Sequence, residues 1–119
     1  MTYASGTTVS ESQSQAHITA LLERIGATGI TCGANAKGNG VVCFTAKGRA
    51  VRMLVPMPDW EGERRRRWRA VLLVLKAKFE AAASGISTFD DEFLSYITLP
   101  TGQSAGRYLA PMLQIGGRS

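Results

Sequence analysis

The chain has 119 residues, of which 45% are hydrophobic and 19% are charged. It is therefore long enough to close one hydrophobic core and too apolar for a disordered chain. The net charge is +5, no apolar run approaches the ~18 residues that indicate a membrane span, and no secretory signal opens the sequence. We expect one cytoplasmic domain over residues 1–119, with flexible ends at 1–7 and 115–119.

The first predicted element is an amphipathic helix from Val9 to Ile25. Thr8 and Glu11 fit a capping box at its start, and Gly26 is a natural stop. The apolar face of this helix recurs at helical spacing and consists of Ile18, Leu21, Leu22 and Ile25.

Three short strands follow, in the segments TGITCGA, VVCFTA and AVRMLVP. The turn-forming segments NAKGNG and KGR connect them, which predicts an antiparallel meander. Alternation in the third strand places its apolar residues on one face and Arg52 on the other. Cys32 and Cys43 fall on neighbouring strands, where they could lie opposite each other, and we interpret them as small buried apolar side chains in a reducing cytoplasm.

A long second helix is predicted in the segment EGERRRRWRAVLLVLKAKFEAAASG. Its core stripe is formed by Trp68, Val71, Leu72, Leu75 and Phe79. Leu73 and Val74 lie outside this stripe, so the helix is apolar nearly all the way round. Such a helix is usually covered on more than one side.

Two further helices are predicted towards the C-terminus. Ser87 or Thr88 caps the first, which carries acidic residues in its first turn, and the second is a short helix in QSAGRYLAPMLQ that contains Pro111. The order of elements predicts an α+β fold. A three-stranded antiparallel meander is packed by the N-terminal helix and the long central helix, with further short C-terminal helices.

The sequence contains no catalytic motif. His17 is the single histidine, and we predict that it is a solvated surface residue. The helix dipole accounts for the acidic run at 90–92, and AKGNG lacks the Lys-Ser/Thr ending of a phosphate-binding loop. Two cysteines and one histidine are too few for a structural zinc site. We therefore expect no enzymatic activity, no metal and no cofactor.

The arginines at the start of the second helix form the strongest candidate site. Without Arg64–Arg67 and Arg69, 9 basic residues balance 9 acidic ones. Cations at a helix N-terminus cost roughly 0.3–1 kcal/mol each, so helix stability does not explain them. The predicted nucleic-acid-binding residues are Arg64, Arg65, Arg66, Arg67, Arg69, Lys76 and Arg52 for phosphates, and Trp60 for base stacking. Alternatively, the arginines form a solvated face paired with glutamates three or four residues away.

The apolar surface of the second and third helices indicates a different class of function, namely an interaction with another protein. Leu73, Val74, Phe89 and Phe93 are the candidates for a homodimer or partner interface.

The segment RRWRAVLLVLKAKFEAAASGISTFDDEFLSYITLPTG resembles a family of small proteins encoded in bacteriophages and prophages. The shared pattern is R-W-R-A, then K-A-K-x-E, G-I-x-x-F-x-x-E-F-L and L-P-x-G. The resemblance implies that the protein comes from a mobile genetic element. Small phage proteins without enzymatic activity commonly serve DNA replication or recombination, or inhibit a host protein. The expected function is an accessory protein that binds nucleic acid, with single-stranded DNA preferred. The alternative is an inhibitor of a host defence or nuclease complex.

Overall fold

The computed structural model describes the backbone of residues 9–118 and the side chains of residues 9–113. The predicted α+β fold is confirmed, with an antiparallel sheet in the order β1-β2-β3. The elements are α1 (Glu11–Arg24), β1 (Thr28–Ala34), β2 (Gly40–Ala46), β3 (Arg49–Val55), α2 (Glu61–Ala83), α3 (Phe89–Phe93), a 3-10 segment (Leu94–Tyr96) and α4 (Ala105–Arg118).

Helix α1 begins two residues later than the predicted Val9. The Gln13 amide donates to Ser10 Oγ at 3.1 Å, and the Ser10 amide donates to Gln13 Oε1 at 3.0 Å. The capping box predicted at Thr8 and Glu11 is therefore wrong, because Ser10 and Gln13 form it. Both quartets fit the S/T-x-x-E/Q signature, and the cap that forms lies directly before the first residue of the helix.

The β2–β3 hairpin fixes which face of the sheet is buried. Lys47 (φ 53°) and Gly48 (φ 73°) both have positive φ, as a two-residue type I′ turn requires. This turn pairs Ala46 with Arg49 and thereby sets the register of the two strands. One face is consequently buried and carries Val42, Phe44, Val51 and Met53.

Helix α2 packs its predicted stripe on that buried face. Trp68 is 1% exposed, and a Cβ atom at Gly40 would lie 3.0 Å from its Cζ2 atom. The indole therefore occupies the space that glycine leaves on β2. Phe79 is half-buried and contacts Phe44 and Phe93, with ring centroids 6.0 and 5.1 Å apart. The predicted core stripe is confirmed.

The C-terminal third follows the prediction only in part. Thr88 caps α3 by accepting from the Asp91 amide at 3.1 Å, but α3 is a single short turn that continues as the 3-10 segment. The last helix is longer than predicted and continues through Pro111 to Arg118. Of the ends predicted to be flexible, 1–7 and Ser119 lie outside the described residues, and 115–118 belong to α4.

The second apolar side of α2 is uncovered within the described residues. Leu73 is 51% exposed and Val74 is 45% exposed. Helix α2 packs against α1 and α3 as well as the sheet, so the expectation that it is covered on more than one side is met, but not on the side of Leu73 and Val74.

The two tryptophans provide a matched test of this packing. Trp68→Ala removes a buried indole and should lower the free energy of unfolding by about 3–5 kcal/mol. Trp60→Ala, at a site 76% exposed, should change it by no more than about 0.5 kcal/mol. Urea unfolding followed by circular dichroism measures both values, and equal losses in the two variants would contradict the packing described here.

Candidate nucleic-acid interface

The arginine cluster of α2 is largely neutralised by carboxylates. Three of its five arginines form ion pairs: Arg64 with Glu11, Arg65 with Glu61, and Arg66 with Glu63. The last two pairs lie within α2, at the spacing that the paired alternative requires. The first pair joins α2 to the start of α1. These pairs are partly exposed, so each contributes little to stability, but each offsets a charge that would otherwise face a ligand.

The remaining candidates from this region do not form one patch. Arg67 Nη1 donates to the Pro56 carbonyl at 2.6 Å, and Trp60 is exposed at the N-cap of α2. Arg69 and Lys76 are exposed, and neither has an ion-pair partner among the described side chains. The contiguous, unpaired arginine face that the sequence suggested is therefore absent from the described part of the chain.

Ion pairing moves the excess positive charge to other surfaces. Among the described side chains, and including Arg49 with Asp90, four cations are paired with four carboxylates. The +5 charge therefore resides mainly on residues outside the first turns of α2. Two of them, Arg52 and Arg107, are brought together at one site.

The outer face of the sheet, opposite the helices, carries the first of these arginines. Cross-strand pairs Val41–Leu54 and Cys43–Arg52 place four side chains on this face. Arg52 and Leu54 are exposed, as the alternation in the sequence predicted for Arg52. This face contains apolar side chains beside a cation and no acidic residue from β2 or β3.

A groove of about 550 Å³ lies between β3, the 3-10 segment and the start of α4. We call it the β3–α4 groove. It is lined by Arg52, Leu54, Ser95, Tyr96, Thr98, Gly102, Gln103, Ser104, Gly106 and Arg107. Two arginines, several hydroxyl-bearing residues and Gln103 line it, and none of the described residues that line it carries a carboxylate. This composition suits an anionic ligand, because guanidinium groups bind phosphate oxygens in a bidentate geometry.

Close backbone packing positions Arg107 at the groove. A Cβ atom at Gly106 would lie 2.9 Å from the Ser95 carbonyl oxygen, so only glycine allows α4 to start this close to the 3-10 segment. The Ala105 amide donates to the Ile97 carbonyl at 2.8 Å, and the Arg107 amide donates to Ser104 Oγ at 3.2 Å. Arg107 was missed in the sequence because its proximity to Arg52 arises only from the tertiary fold.

The two cysteines lie on opposite faces of the sheet. Cys32 pairs with Val42 on the inner face, and Cys43 pairs with Thr31 and Arg52 on the outer face. They are therefore not opposite each other, and both thiols are free and half-buried. Burial raises the pKa of Cys32 to about 11. Burial also raises the pKa of Cys43, and the charge of Arg52 acts in the opposite direction.

The other sequence candidates have structural roles or no partner. His17 is exposed on α1, and Asp90 accepts two hydrogen bonds from Arg49, which lower the pKa of its carboxyl group. Among the described residues, no three potential metal ligands converge. No helix described here is both long and apolar enough to cross a bilayer.

The interface predicted from four apolar residues is wrong for one of them. Phe93 is fully buried in the core and packs edge-on against Phe44, with ring centroids 5.7 Å apart. Phe89 is half-buried in the same aromatic cluster. Leu73 and Val74 remain exposed and available.

The thiols should report the two faces of the sheet. With iodoacetamide at mildly alkaline pH, Cys43 should react at least about threefold faster than Cys32, because less of the Cys32 thiol is ionised and alkylation requires the thiolate. Peptide mass spectrometry of the native protein measures both rates. Equal rates, or an intramolecular disulfide under mild oxidation, would contradict the placement on opposite faces.

Comparison of the chain with protein-family models, with curated proteins and with solved structures finds no match. The resemblance to phage-encoded proteins therefore rests on the sequence pattern alone and stays a prediction.

Proposed function

We propose that this protein is a non-enzymatic nucleic-acid-binding protein that holds a single strand in the β3–α4 groove. The observation that carries the proposal is the presence of two arginines, Arg52 and Arg107, in a groove that is lined by no carboxylate from the described side chains. Repeated phosphates are the anionic groups that such a groove would contact along a polymer.

The surroundings of the two arginines favour a single strand over a duplex. Leu54 is exposed on strand β3 and lines the groove, and the half-buried Tyr96 lines the same groove. Apolar and aromatic side chains beside cations bind unstacked bases, which a duplex keeps inside its helix. Phosphate contacts would supply most of the affinity, so binding should depend strongly on salt and weakly on sequence.

Residues at the start of α2 that form no ion pair with a described side chain extend the proposed surface beyond the C-terminal end of β3. Arg67 is held at the Pro56 carbonyl, and Pro56 follows Arg52 by four residues, or roughly 13 Å along an extended chain. The exposed Trp60 lies directly before the first residue of the same helix. These residues would contact a strand that continues past the groove, whereas the paired Arg64, Arg65 and Arg66 would contribute less.

The phage resemblance sets the proposed context. A small protein with such a surface would serve as an accessory factor in phage DNA replication or recombination, inside a bacterial host cell. Its ligand would be single-stranded DNA.

Two double variants with the same change in net charge test where binding occurs. Arg52→Glu with Arg107→Glu should weaken binding of a labelled single-stranded oligonucleotide by about tenfold or more at low salt. It should also reduce the slope of log K against log salt by about 1.4, for two lost phosphate contacts. Fluorescence anisotropy measures both quantities.

The matched control is Arg65→Glu with Arg66→Glu, which alters two arginines that are already paired. It should weaken binding by less than about threefold. Absence of binding by the wild-type protein at low salt would overturn the proposal. Equal losses in both variants would show that net charge, and not the groove, determines binding.

A further inference from the structure

The side of α2 that faces away from the sheet carries a second apolar stripe. Its exposed members are Ala70, Leu73, Val74 and Ala77, and the half-buried Ala81 continues it. These positions recur at helical spacing, opposite the stripe that contains Trp68. Two of its side chains, Leu73 and Val74, are about half exposed.

We propose that this stripe packs antiparallel against the same stripe of a second copy of the chain. The placement and opposite charges of Arg69 and Glu80 support this proposal. Both are exposed, neither has an ion-pair partner among the described side chains, and they lie on the same flank of the stripe. They are about three helical turns apart, on either side of its middle.

A two-fold axis through the middle of the stripe makes this charge pattern self-complementary. In an antiparallel pair, residues on one flank of a helix face the same flank of the other helix. Arg69 of one copy then lies beside Glu80 of the second copy, and symmetry repeats the pair. A parallel pair would instead bring the flank of Arg69 against the opposite flank of the second helix, which carries Arg67 and Lys78, so that like charges repel.

The small side chains of the stripe permit close approach of the two helices. Ala70 and Ala77 flank Leu73 and Val74, so each copy would insert two larger side chains between alanines of the other. From Ala70 to Ala81 the stripe is only about 17 Å long. The interface is therefore smaller than the ~1,600 Å² of a standard complex, and we expect a dimer that forms reversibly at micromolar concentration.

Dimer formation leaves the proposed nucleic-acid site open. Helix α2 covers the inner face of the sheet, and its second stripe faces away from the sheet, whereas the β3–α4 groove lies on the other side. The dimer does not depend on nucleic-acid binding, and the two proposals can fail separately.

Charge exchange tests both the interface and its orientation. Sedimentation velocity of the full chain, from low to high micromolar concentration, should show a monomer–dimer equilibrium. Arg69→Glu and Glu80→Arg should each raise the dimer dissociation constant about tenfold. Each substitution turns both Arg69–Glu80 contacts of the symmetric dimer into contacts between like charges. The double variant, Arg69→Glu with Glu80→Arg, should recover to within about threefold of the wild type because it restores both pairs.

Arg52→Glu is the matched control, since it changes the net charge as Arg69→Glu does but lies on the outer face of the sheet. It should leave the dimerisation constant unchanged, and circular dichroism should show that every variant is folded. A wild type that stays monomeric throughout would overturn the proposal. A dimer that the single exchanges do not weaken, or that the double exchange does not restore, would do the same.

Discussion

The packing of Trp68 over Gly40 is the contact on which the other features depend. It holds α2 against the inner face of the sheet and leaves the outer face without a helical layer from α1 or α2. Arg52 and Leu54 are accessible for that reason, and the second stripe of α2 faces away from the sheet for the same reason. One buried aromatic contact thus determines both surfaces to which we assign a role.

Ion pairing decides how the positive charge of the chain is presented. From the sequence alone, a run of arginines at the start of a helix predicts a binding patch. Carboxylates from within α2 and from the start of α1 offset three of those charges. The groove between β3 and α4 has two arginines and, within residues 9–113, no such counter-charges. The groove has fewer cations than the arginine cluster of α2, but it is the better candidate site for an anionic ligand. Carboxylates beside the arginines of α2 would repel phosphates.

Periodicity and turn chemistry were sufficient to predict the architecture. The order of elements, the alternation around Arg52 and the stripe through Trp68 follow from spacing alone. What could not be predicted depends on contacts distant in sequence. The pair between Arg64 and Glu11 joins two helices, and Arg107 reaches the groove only because Gly106 packs on Ser95. The burial of Phe93 was also missed, since its position on a short helix gave no sign that it faces the core.

The central claim is that nucleic acid binds mainly at the β3–α4 groove and not at the paired arginines Arg64, Arg65 and Arg66 of α2. Nuclear magnetic resonance tests it most directly, through a titration of the isotope-labelled protein with a short single-stranded thymidine oligonucleotide. The account predicts that the largest amide shifts occur around Arg52, Leu54 and Arg107. Shifts confined to residues 61–69, or no shifts at low salt, would contradict it.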